Sequence, residues 1–479
     1  MNSALLKLAI CLSLFMLSVL NLNAQFSGGS GSPGDPYLIS SAADFDNVRN
    51  YLGSTFLQTA DIDLGVAPYN EGTGWIPLTE NVDYPFTGTY EGAGHHIFNL
   101  TINAPDSPYR SLFGFGENCS VSNLKLEGVS IHASHSSGAL FCVCKNAQIS
   151  NISISGTIVG ALHDTGGIVA TARNFSQLSN CSTNMQVSGG HYSAGLVSYL
   201  VFSSVTDSYA LGTVQGMDGC GGLVGDMSQS TLQNSFAISS INAAYVIGGL
   251  VGMMNSTSSV SNCFARCSIS SVGLAGGISG TMSGDSSIIN SYSASEFPAG
   301  ESKGGLAGGT SFGDSSNSYY DADLAGEVSN SFGEARTTQE MVEPHSPNTY
   351  VDWDFAVTWQ ADPGHLNNSG YPYLAVNPVS NEEEYLPQPQ LSLVCYPNPF
   401  NQSTSIAAKA PAGQRVEGAI YNLRGQLIKK LAPYQSSGTK QVFSWDGRDD
   451  SGRTVSSGVY FVRLISGGET MGKRVVLIR

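Results

Sequence analysis

The acidic residues are the side chains of this sequence whose spacing comes nearest to supporting chemistry. Asp285 and Asp314 recur at almost the interval of a repeat described below, so they could approach each other on neighbouring turns and bind calcium weakly. A polysaccharide lyase needs such acids beside a basic residue, and a glycoside hydrolase needs two carboxylates roughly 5–10 Å apart. The spacing establishes neither arrangement, and solvated surface carboxylates explain these acids more simply. We therefore predict no catalytic residue, no metal ligand and no cofactor.

Three other groups of polar residues resemble sites but favour structural roles. His95 and His96 adjoin each other in a glycine-rich segment, where packed histidines are commoner than metal ligands. Asp446 begins a loop that superficially resembles a calcium-binding EF-hand, but Ser451 stands where that loop needs glycine, which favours a simple turn. The third group comprises the pairs Asp61 with Asp63 and Asp321 with Asp323. The sequence also lacks the H-E-x-x-H and G-x-x-x-x-G-K-[ST] motifs.

The charge of the 479-residue chain is low and unevenly distributed. Charged residues make up 12% of the chain, against about 25% in an ordinary soluble domain. Residues 25–390 contain 8 basic and 32 acidic residues, whereas residues 391–479 contain 12 basic and 5 acidic residues. Two regions of opposite charge indicate two domains with separate roles. The formal net charge of −16 argues against nucleic acid as a partner, because binding phosphates requires a basic surface.

Residues 1–24 have the features of a signal peptide. Lys7 precedes an apolar run over residues 8–20, and Ala24 suits the cleavage site. Because the run is shorter than a comfortable membrane span, an uncleaved anchor helix is the less favoured alternative. No later stretch is apolar enough to cross a bilayer, so we predict an exported mature chain without a transmembrane segment.

A glycine-rich anchor of five residues repeats in the middle of the chain. Its clearest copies are the GGLVG sequences that begin at Gly221 and Gly248. The eight copies begin at Arg110, Gly138, Gly166, Ala194, Gly221, Gly248, Gly276 and Gly304. Successive starts are 28, 28, 28, 27, 27, 28 and 28 residues apart, a period typical of solenoids. Short apolar strands between Gly, Ser and Asn turns predict stacked parallel β-coils, since the frame of the rival leucine-rich repeat is absent.

A second set of residues keeps phase with the anchors and predicts a ladder of side chains along the solenoid. It lies thirteen or fourteen residues after each anchor start. Its members are Asn123, Asn151, Asn180, Asp207, Asn234, Asn262, Asn290 and Asn317. Aligned amides on successive coils can hydrogen-bond to one another. Two residues further on, the later repeats place aromatic residues at positions 209, 236, 264, 292 and 319, which should stack.

Eight cysteines follow the predicted signal peptide, an even count that would permit four disulfides in an exported protein. Cys119 and Cys144 lie on neighbouring coils, so a bridge between them is one option. Cys181 and Cys263 share one step of the repeat but are three coils apart. The spacing therefore favours mostly buried free thiols over a disulfide framework.

The flanks of the repeats, residues 25–109 and 321–376, fit caps that cover the open ends of a solenoid. Ser41 has the spacing of a helix N-cap, which predicts a short helix over residues 42–52. The flanks also carry short motifs that begin at Gly34 (GDPYLI), Ala60 (ADIDL), Trp75 (WIPL), Phe86 (FTGTYEGAGH), Tyr319 (YYD), Thr337 (TTQEM), Trp353 (WDF) and Gly370 (GYPYL).

With the anchors, these motifs resemble the GLUG-repeat family of bacterial surface proteins over residues 28–376. The family is similar to right-handed parallel β-helices of the pectate-lyase type. Adhesion or surface display is the role that this resemblance implies. The anchors at positions 110, 138 and 194 depart from the glycine pattern of the family, although they keep its phase.

Residues 377–390 form a linker rich in Glu and Pro, a composition that favours an extended, solvated connection. In residues 391–479, short alternating strands between turns suggest a β-sandwich. Its characteristic motif residues are Tyr396, Pro397, Asn398, Pro399, Trp445, Asp446, Gly458 and Tyr460. These motifs resemble the type A sorting domain of the type IX secretion system, which has a FlgD-like immunoglobulin fold. The resemblance implies export through the type IX translocon, across a Gram-negative outer membrane, to the cell surface.

The sequence thus predicts an all-β protein, with a right-handed parallel β-helix of about eight coils followed by a small Ig-like β-sandwich. We predict a secreted, cell-surface binding or adhesion protein that is not an enzyme. Its unknown surface ligand would be a glycan or a protein. The alternative is a polysaccharide-active lyase or glycoside hydrolase on the same scaffold.

Overall fold

The computed structural model describes residues 26–297, 302–330, 332–375, 392–396, 398–409, 416–432, 435–437, 440–466 and 469–478. The predicted signal peptide, the predicted linker and Pro397 lie outside these described residues. The chain divides into two compact units. The first comprises Met1–Thr338 and Pro347–Asp354, and the second comprises Gln339–Ser346 and Phe355–Arg479. The predicted closing segment 321–376 is therefore shared between the two units.

The first unit is a parallel β-solenoid with three strand faces, named here sheets A, B and C. From each anchor the chain enters sheet B, continues through two segments of sheet A and returns through sheet C to the next anchor. Equivalent strands of successive coils pair in parallel, as Val197–Val201 does with Val224–Ser228. The eight strands of sheet B mark about eight coils. The predicted all-β fold with a parallel solenoid is confirmed.

Sheet A is the widest of the three and begins before the first anchor. Its strands are Tyr37–Ile39, Thr55–Gln58, Ile62–Asp63, Thr89–Glu91, His96–Phe98, Thr101–Ala104, Ser120–Ala133, Gln148–Gly160, Gln177–Ser179, Ser182–Ser188, Ser204–Thr206, Tyr209–Gly216, Thr231–Gln233, Phe236–Ala243, Ser259–Ser261, Phe264–Ala265, Ser268–Ser270, Ser287–Ile289, Tyr292–Ser293, Asp314–Ser316, Tyr319–Asp321 and Glu334–Arg336.

Sheets B and C meet at the anchors. The strands of sheet B are Gly114–Glu117, Phe141–Lys145, Val169–Arg173, Val197–Val201, Val224–Ser228, Val251–Asn255, Ser279–Ser283 and Ala307–Ser311. The strands of sheet C are Ser137–Gly138, His163–Gly166, His191–Ala194, Cys220–Gly221, Val246–Gly248, Leu274–Gly276 and Ser302–Gly304.

The anchor is glycine-rich because the chain bends there with no room for a side chain. A Cβ on Gly248 would lie 1.9 Å from the carbonyl oxygen of Val251 and 2.8 Å from that of Ile278 on the next coil. Both neighbours are backbone atoms that cannot move aside. The leucine and valine of the same anchor, Leu250 and Val251, point into the core and are fully buried. The repeat thus encodes a tight bend followed by an inward strand.

Buried hydroxyl and thiol groups form a second ladder that the sequence analysis did not predict. One residue after the asparagine column, a side-chain oxygen or sulfur accepts a hydrogen bond from the backbone N–H of the preceding coil. Ser235 Oγ accepts from Ser208 N at 3.1 Å, and Cys263 Sγ accepts from Ser235 N at 3.4 Å. All eight cysteines that follow the predicted signal peptide are buried and free, as predicted. Cys181 and Cys263 occupy the ladder position that is serine in other coils, and this role explains why these two cysteines are buried and free.

The predicted aromatic column is confirmed. The rings of Tyr209, Phe236, Phe264 and Tyr292 stack with centroid separations of 5.0, 4.7 and 5.2 Å. Their interplanar angles are 6°, 2° and 5°. Such near-parallel stacking follows from the strand register, which sets identical side-chain positions about 4.8 Å apart.

The helices among the described residues lie outside the repeats. They are the α-helices Ala42–Asn47, Ala322–Ala325 and Thr338–Met341 and the 3₁₀-helix Val48–Asn50. Ser41 caps the first helix by accepting a hydrogen bond from Asp44 N at 3.1 Å. The predicted helix over 42–52 is therefore present but shorter, because it tightens into the 3₁₀ turn at Val48. Phe45 and Val48 are fully buried in the solenoid core.

The second unit contains a β-sandwich with its own core. One antiparallel sheet, named sheet D, comprises Ser392–Tyr396, Thr404–Lys409, Gln435–Ser437 and Lys440–Trp445. The other, named sheet E, comprises Glu417–Asn422, Leu427–Leu431, Gly458–Ser466 and Glu469–Leu477. The strands Trp359–Gln360 and Tyr373–Leu374 form a small antiparallel pair. Inward side chains of both large sheets, such as Phe443 and Val462, build one cluster.

Candidate functional site

A cleft of about 600 Å³ opens on the outer side of sheet B in the first coils. Phe115, Val143 and Thr171 line it and are register neighbours on three successive strands. Tyr109 and a loop at residues 80–82, which precedes the first anchor, also line the cleft. The loop and the strands thus enclose a groove that a regular solenoid face would not have.

The column of outward side chains that lines the cleft continues past it along sheet B. After Thr171 the same position is occupied by Tyr199, Asp226 and Met253 on the next three strands. Asp226 is 6% exposed although it is charged. The Asn255 amide donates to both oxygens of this carboxylate, at 3.4 and 3.3 Å. The column therefore changes from an apolar floor to a polar, aromatic surface.

A second column borders the cleft at the start of the strands of sheet C. Ser136, Asp164 and Tyr192 occupy it on successive coils, each in the left-handed conformation with φ of 51°, 51° and 55°. The Ser136 hydroxyl donates to Asp164 Oδ2 at 3.3 Å. The ring of Tyr192 lies 6.0 Å from that of Tyr199 in the neighbouring column. The two columns together bring aromatic and acidic side chains to one surface.

The two carboxylates flank the tyrosine pair. Asp164 lies one coil before Tyr192, and Asp226 lies one coil after Tyr199. Since successive coils are about 4.8 Å apart, the two acids stand about 10 Å apart along the solenoid axis. The name candidate cleft is used here for the groove lined by Tyr109, Asp164 and Arg173, together with Tyr192, Tyr199 and Asp226, which adjoin it on the next two coils.

Burial sets the protonation of these groups. Burial raises the pKa of Asp226 to about 6, against the hydrogen bond from Asn255, and the charge of Asp164 adds to the rise. Burial likewise raises the pKa of Asp164, although Ser136 acts to lower it. Burial and then the charge of Asp226 raise the pKa of Tyr199, so its phenol stays protonated and can donate. The cleft can therefore present both hydrogen-bond acceptors and donors at neutral pH.

A cation adds to this polar surface. Arg173 lines the cleft, and its buried Nε atom has no hydrogen-bond partner among the described residues. A buried donor without a partner costs free energy, which the fold accepts at this position. Tyr109, which lines the same cleft, is 38% exposed and offers a ring face. The cleft thus combines flat apolar surfaces with unsatisfied polar groups.

The acids singled out from the sequence have other surroundings. Asp314 pairs in register with Ser287, whereas the N–H of Asp285 bonds to Phe312 on the next coil, so the two acids occupy different columns. Among the described residues, no group of three or more His, Cys, Asp or Glu side chains stands where it could hold a metal ion. That the chain has no metal ligand stays a prediction, with weak calcium binding at Asp285 and Asp314 as its alternative.

The close acid pairs and the adjacent histidines hold turns together. Asp61 Oδ1 accepts hydrogen bonds from His95 Nδ1 at 3.2 Å and from His96 N at 3.0 Å. Asp63 accepts from the Asn99 amide at 2.9 Å. These bonds lower the pKa of both carboxyl groups, against a small effect of burial. At the other flank, Asp321 caps the helix Ala322–Ala325.

The sequence analysis did not identify Asp164 or Asp226 as a pair. Counted from the anchors, Asp226 stands five residues after an anchor start and Asp164 two residues before one. Aligning all eight repeats at those two steps would have placed Tyr199 and Tyr192 beside them. The signal was therefore present in the columns of the repeat and not in any local motif.

The eight predicted ladder residues occupy one corner of the coil, between two segments of sheet A. All eight have φ between 46° and 54°. This left-handed conformation is costly for most residues but tolerable for Asn and Asp. Adjacent side chains bond where Asn151 donates to Asn123 at 2.8 Å, Asn234 to Asp207 at 3.0 Å and Asn262 to Asn234 at 3.3 Å. Among the described residues, Asn290 Oδ1 has no partner. All eight residues thus form the left-handed backbone corner, whereas only some of them form side-chain hydrogen bonds along the ladder.

The predicted motif residues of the second unit support the sandwich. Asn398 joins its first segment to its last strand, because its amide donates to Arg474 O at 3.0 Å and its oxygen accepts from Val476 N at 2.7 Å. The peptide bond from Asn398 to Pro399 is cis. Tyr396 ends the strand Ser392–Tyr396. Pro397 lies outside the described residues.

The remaining motif residues surround a buried tryptophan. Trp445 is fully buried, donates from Nε1 to Arg448 O at 2.9 Å and packs edge-on against Tyr460 at 5.0 Å. Tyr460 donates from its hydroxyl to Ser456 O at 2.7 Å, and Gly458 begins the strand that contains Tyr460. Asp446 bonds to Lys429 at 3.2 Å, which lowers the pKa of Asp446 although burial acts to raise it. These residues serve packing and turn formation.

Comparison with known proteins bears on the C-terminal domain. Residues 394–478 match the family described as secretion system C-terminal sorting domain. PorZ, a surface component of the type IX secretion system of Porphyromonas gingivalis, is 23% identical over 18% of this chain and 12% of its own, with a TM-score of 0.15. A likeness that distant carries no argument by itself.

Two curated relatives each resemble less than a quarter of the chain. A Gly-rich membrane protein of Evansella cellulosilytica is 44% identical over 109 residues, which cover 22% of this chain and 12% of the relative. Halomucin of Haloquadratum walsbyi is 31% identical over 117 residues, which cover 23% of this chain and 1% of the relative. The chain therefore matches only a small part of the length of these relatives.

The family match assigns the C-terminal domain to the type IX sorting domains. The protein is accordingly secreted through the outer membrane to the cell surface of a Bacteroidetes-type bacterium. Within the described residues, no helix has both the length and the apolar character that a membrane span requires.

Proposed function

We propose that this protein is a surface-displayed binding or adhesion protein of the GLUG-repeat type, and that its solenoid binds glycans in the candidate cleft. The observation that carries the proposal is the meeting of Tyr192, Tyr199, Asp164 and Asp226 on one surface beside an open groove. Ligand sites generally combine apolar and aromatic surface with a few placed polar groups.

The cleft suits a sugar chain because its two kinds of surface match the two faces of a sugar. Tyrosine rings offer flat apolar faces against which the C–H side of a sugar ring can pack. The Asp164 and Asp226 carboxylates can accept hydrogen bonds from hydroxyl groups, and the guanidinium of Arg173, which lines the groove, can donate them. The acids two coils apart would contact successive units of an extended chain.

The second element of the proposal is export. We propose that the sandwich has the FlgD-like immunoglobulin fold, that the type IX translocon is its partner, and that residues 1–24 are a signal peptide. The support is the family match together with two antiparallel sheets around one core. The solenoid would then be the exported part of the chain, and the sandwich would be its sorting signal.

A glycan array probed with the mature chain tests the binding function. The informative variant combines Tyr199→Ala with Asp226→Asn, the tyrosine and the acid that adjoin the groove on the next coils. The matched control combines Tyr245→Ala with Asp314→Asn, since Tyr245 is 56% exposed and neither residue belongs to the two columns beside the groove. We expect saturable binding that the cleft variant loses and the control retains. Binding of proteins but of no glycan would contradict the glycan assignment.

The enzyme alternative depends on the same two acids. Asp164 and Asp226 are about 10 Å apart along the axis alone, which is longer than the separation of roughly 6.5–9.5 Å in inverting glycoside hydrolases, so the geometry favours binding over hydrolysis. Incubation of the mature chain with bound polysaccharides, followed by assay of new reducing ends and of unsaturated products, detects either hydrolase or lyase action. Turnover that Asp226→Asn abolishes would replace the binding proposal by the enzyme; binding without turnover supports the adhesin.

A further inference from the structure

One face of the sandwich carries exposed apolar side chains in a row. On the outer side of sheet E, Tyr421 pairs across the strands with Leu427 on one side and with Phe461 on the other. Leu427 is 44% exposed and Phe461 is 42% exposed. Ile465, two residues beyond Arg463 on the same strand as Phe461, is 37% exposed. Large apolar side chains exposed together mark interaction surfaces more often than single ones do.

Basic side chains adjoin this row directly. Ala419 pairs across the strands with Lys430 on one side and with Arg463 on the other. Among the described residues, neither cation forms an ion pair. Because Ala419 is small, the row leaves a groove of about 370 Å³, lined also by Tyr421, Leu427 and Ile465. The apolar–basic face is defined here by Ala419, Tyr421, Leu427, Lys430, Phe461, Arg463 and Ile465.

The opposite side of the sandwich differs. On the outer side of sheet D, Ser405 pairs with Ser444 and Val442 is buried. Among the side chains of sheet D that the structure describes, the large apolar ones, Ile406, Val442, Phe443 and Trp445, are all buried. They contrast with the exposed apolar row on sheet E.

We propose that the apolar–basic face is the surface by which the type IX export machinery recognises this domain. The partner would be a protein segment that inserts apolar side chains against Phe461 and Leu427 and places acidic side chains on Lys430 and Arg463. The family match supplies the reason for a partner, since a sorting domain acts only by being recognised. Aromatic and arginine side chains are also the residues that most often dominate binding energy at interfaces.

A protein partner fits this face better than a lipid surface does. The face is concave at Ala419, and Glu417 lines the same groove. A flat anionic bilayer would leave the groove empty and would be repelled by Glu417. A protruding segment with mixed acidic and apolar side chains can fill the groove and pair the cations.

Surface delivery of the full-length chain in its native cell tests the proposal. The test variant combines Lys430→Glu with Arg463→Glu, and a second variant carries Phe461→Gln. The control combines Arg424→Glu with Arg453→Glu, which changes net charge equally at turns outside the apolar–basic face. Surface protein is measured by protease digestion of intact cells, and retained protein by periplasmic fractionation. Folding of each variant is checked by the thermal midpoint of the purified chain.

We expect both test variants to fold, to accumulate in the periplasm and to reach the surface at least about tenfold less than the control, which corresponds to ~1.4 kcal/mol of lost binding. Normal delivery of the folded charge variant would overturn the proposal. If that variant does not fold, Arg463→Gln with Lys430→Gln replaces it and is judged by the same criterion. Binding of the purified chain to anionic vesicles, lost in the same variants, would assign the face to lipid and also overturn the proposal.

This inference rests on the proposed export role, but the two can fail separately. Deletion of residues 391–479 tests the role of the domain as a whole. Delivery of the truncated chain would refute the export role. Retention of the truncated chain together with normal delivery of the face variants would refute only the assignment of the face.

Discussion

Replacement of Asn234 by leucine tests how the corners of the solenoid are stabilised. Asn234 has a φ of 49°. Its amide donates to Asp207 Oδ1 at 3.0 Å, and its oxygen accepts from the Asn262 amide at 3.3 Å. The side chain therefore bonds in both directions along the ladder, while its backbone holds the left-handed turn.

The expected cost has two parts. Leucine can form neither side-chain hydrogen bond, and each bond contributes about 1 kcal/mol net. Leucine also tolerates the left-handed conformation less well than asparagine, at a cost of about 1 kcal/mol. We therefore expect Asn234→Leu to lower the free energy of unfolding by about 3 kcal/mol.

Asn290→Leu is the matched control, because Asn290 shares the corner with a φ of 46° but its Oδ1 has no partner among the described residues. Its replacement should cost only the backbone part, about 1 kcal/mol. Equilibrium urea unfolding of the mature chain measures both, provided that the dependence on urea is unchanged. Equal losses for the two variants would refute the side-chain ladder and leave only the backbone corner.

The remaining predictions concern pH, thiols and export. Burial raises the folded-state pKa of Asp226 to about 6. The stability of the wild type relative to Asp226→Asn should therefore be greatest below pH ~4 and should fall by up to about 3 kcal/mol as pH rises through 6. Urea unfolding at several pH values measures this difference in stability, and a difference that does not change with pH would contradict the prediction. Burial raises the pKa of Cys181 and Cys263 to about 12, so native protein should react with a thiol reagent only after unfolding; rapid labelling of the native chain would disprove the burial. Deletion of residues 391–479 should leave the truncated chain in the periplasm with an unchanged thermal midpoint for the solenoid, and grafting these residues onto a periplasmic reporter should carry it to the surface.

Much of the fold could be predicted because each coil of a solenoid repeats the same structure, so its residue types recur at a fixed spacing in the sequence. The spacing of the anchors defines the coil length, and Gly248 shows why the anchor is glycine: a Cβ there would meet backbone atoms. The aromatic column at 209, 236, 264 and 292 follows from the same period. The Ser41 cap could likewise be predicted, since capping depends only on neighbouring residues.

The candidate cleft could not be predicted in the same way. Asp164 and Asp226 are 62 residues apart in sequence, and no local motif links them. They reach the same surface, about 10 Å apart along the axis, because sheets B and C carry their columns side by side. The loop at residues 80–82, which also lines the groove, lies before the repeats and outside their period. The face of sheet E has the same origin, because cross-strand pairing and not sequence distance brings Lys430 beside Ala419 and Arg463.

The sequence by itself determined the period, the all-β class, the opposite charges of the two regions and the sorting motifs, since each depends on residue type and spacing along one chain. The tertiary structure alone decided which charged groups are buried together and which apolar groups stay exposed. Asp226 shows the difference: its acidity is a matter of composition, but its pKa of about 6 arises from burial on the strand beside Tyr199 and Asn255. Burial and proximity between residues of different coils depend on how the chain coils in three dimensions, and only the folded structure specifies that coiling.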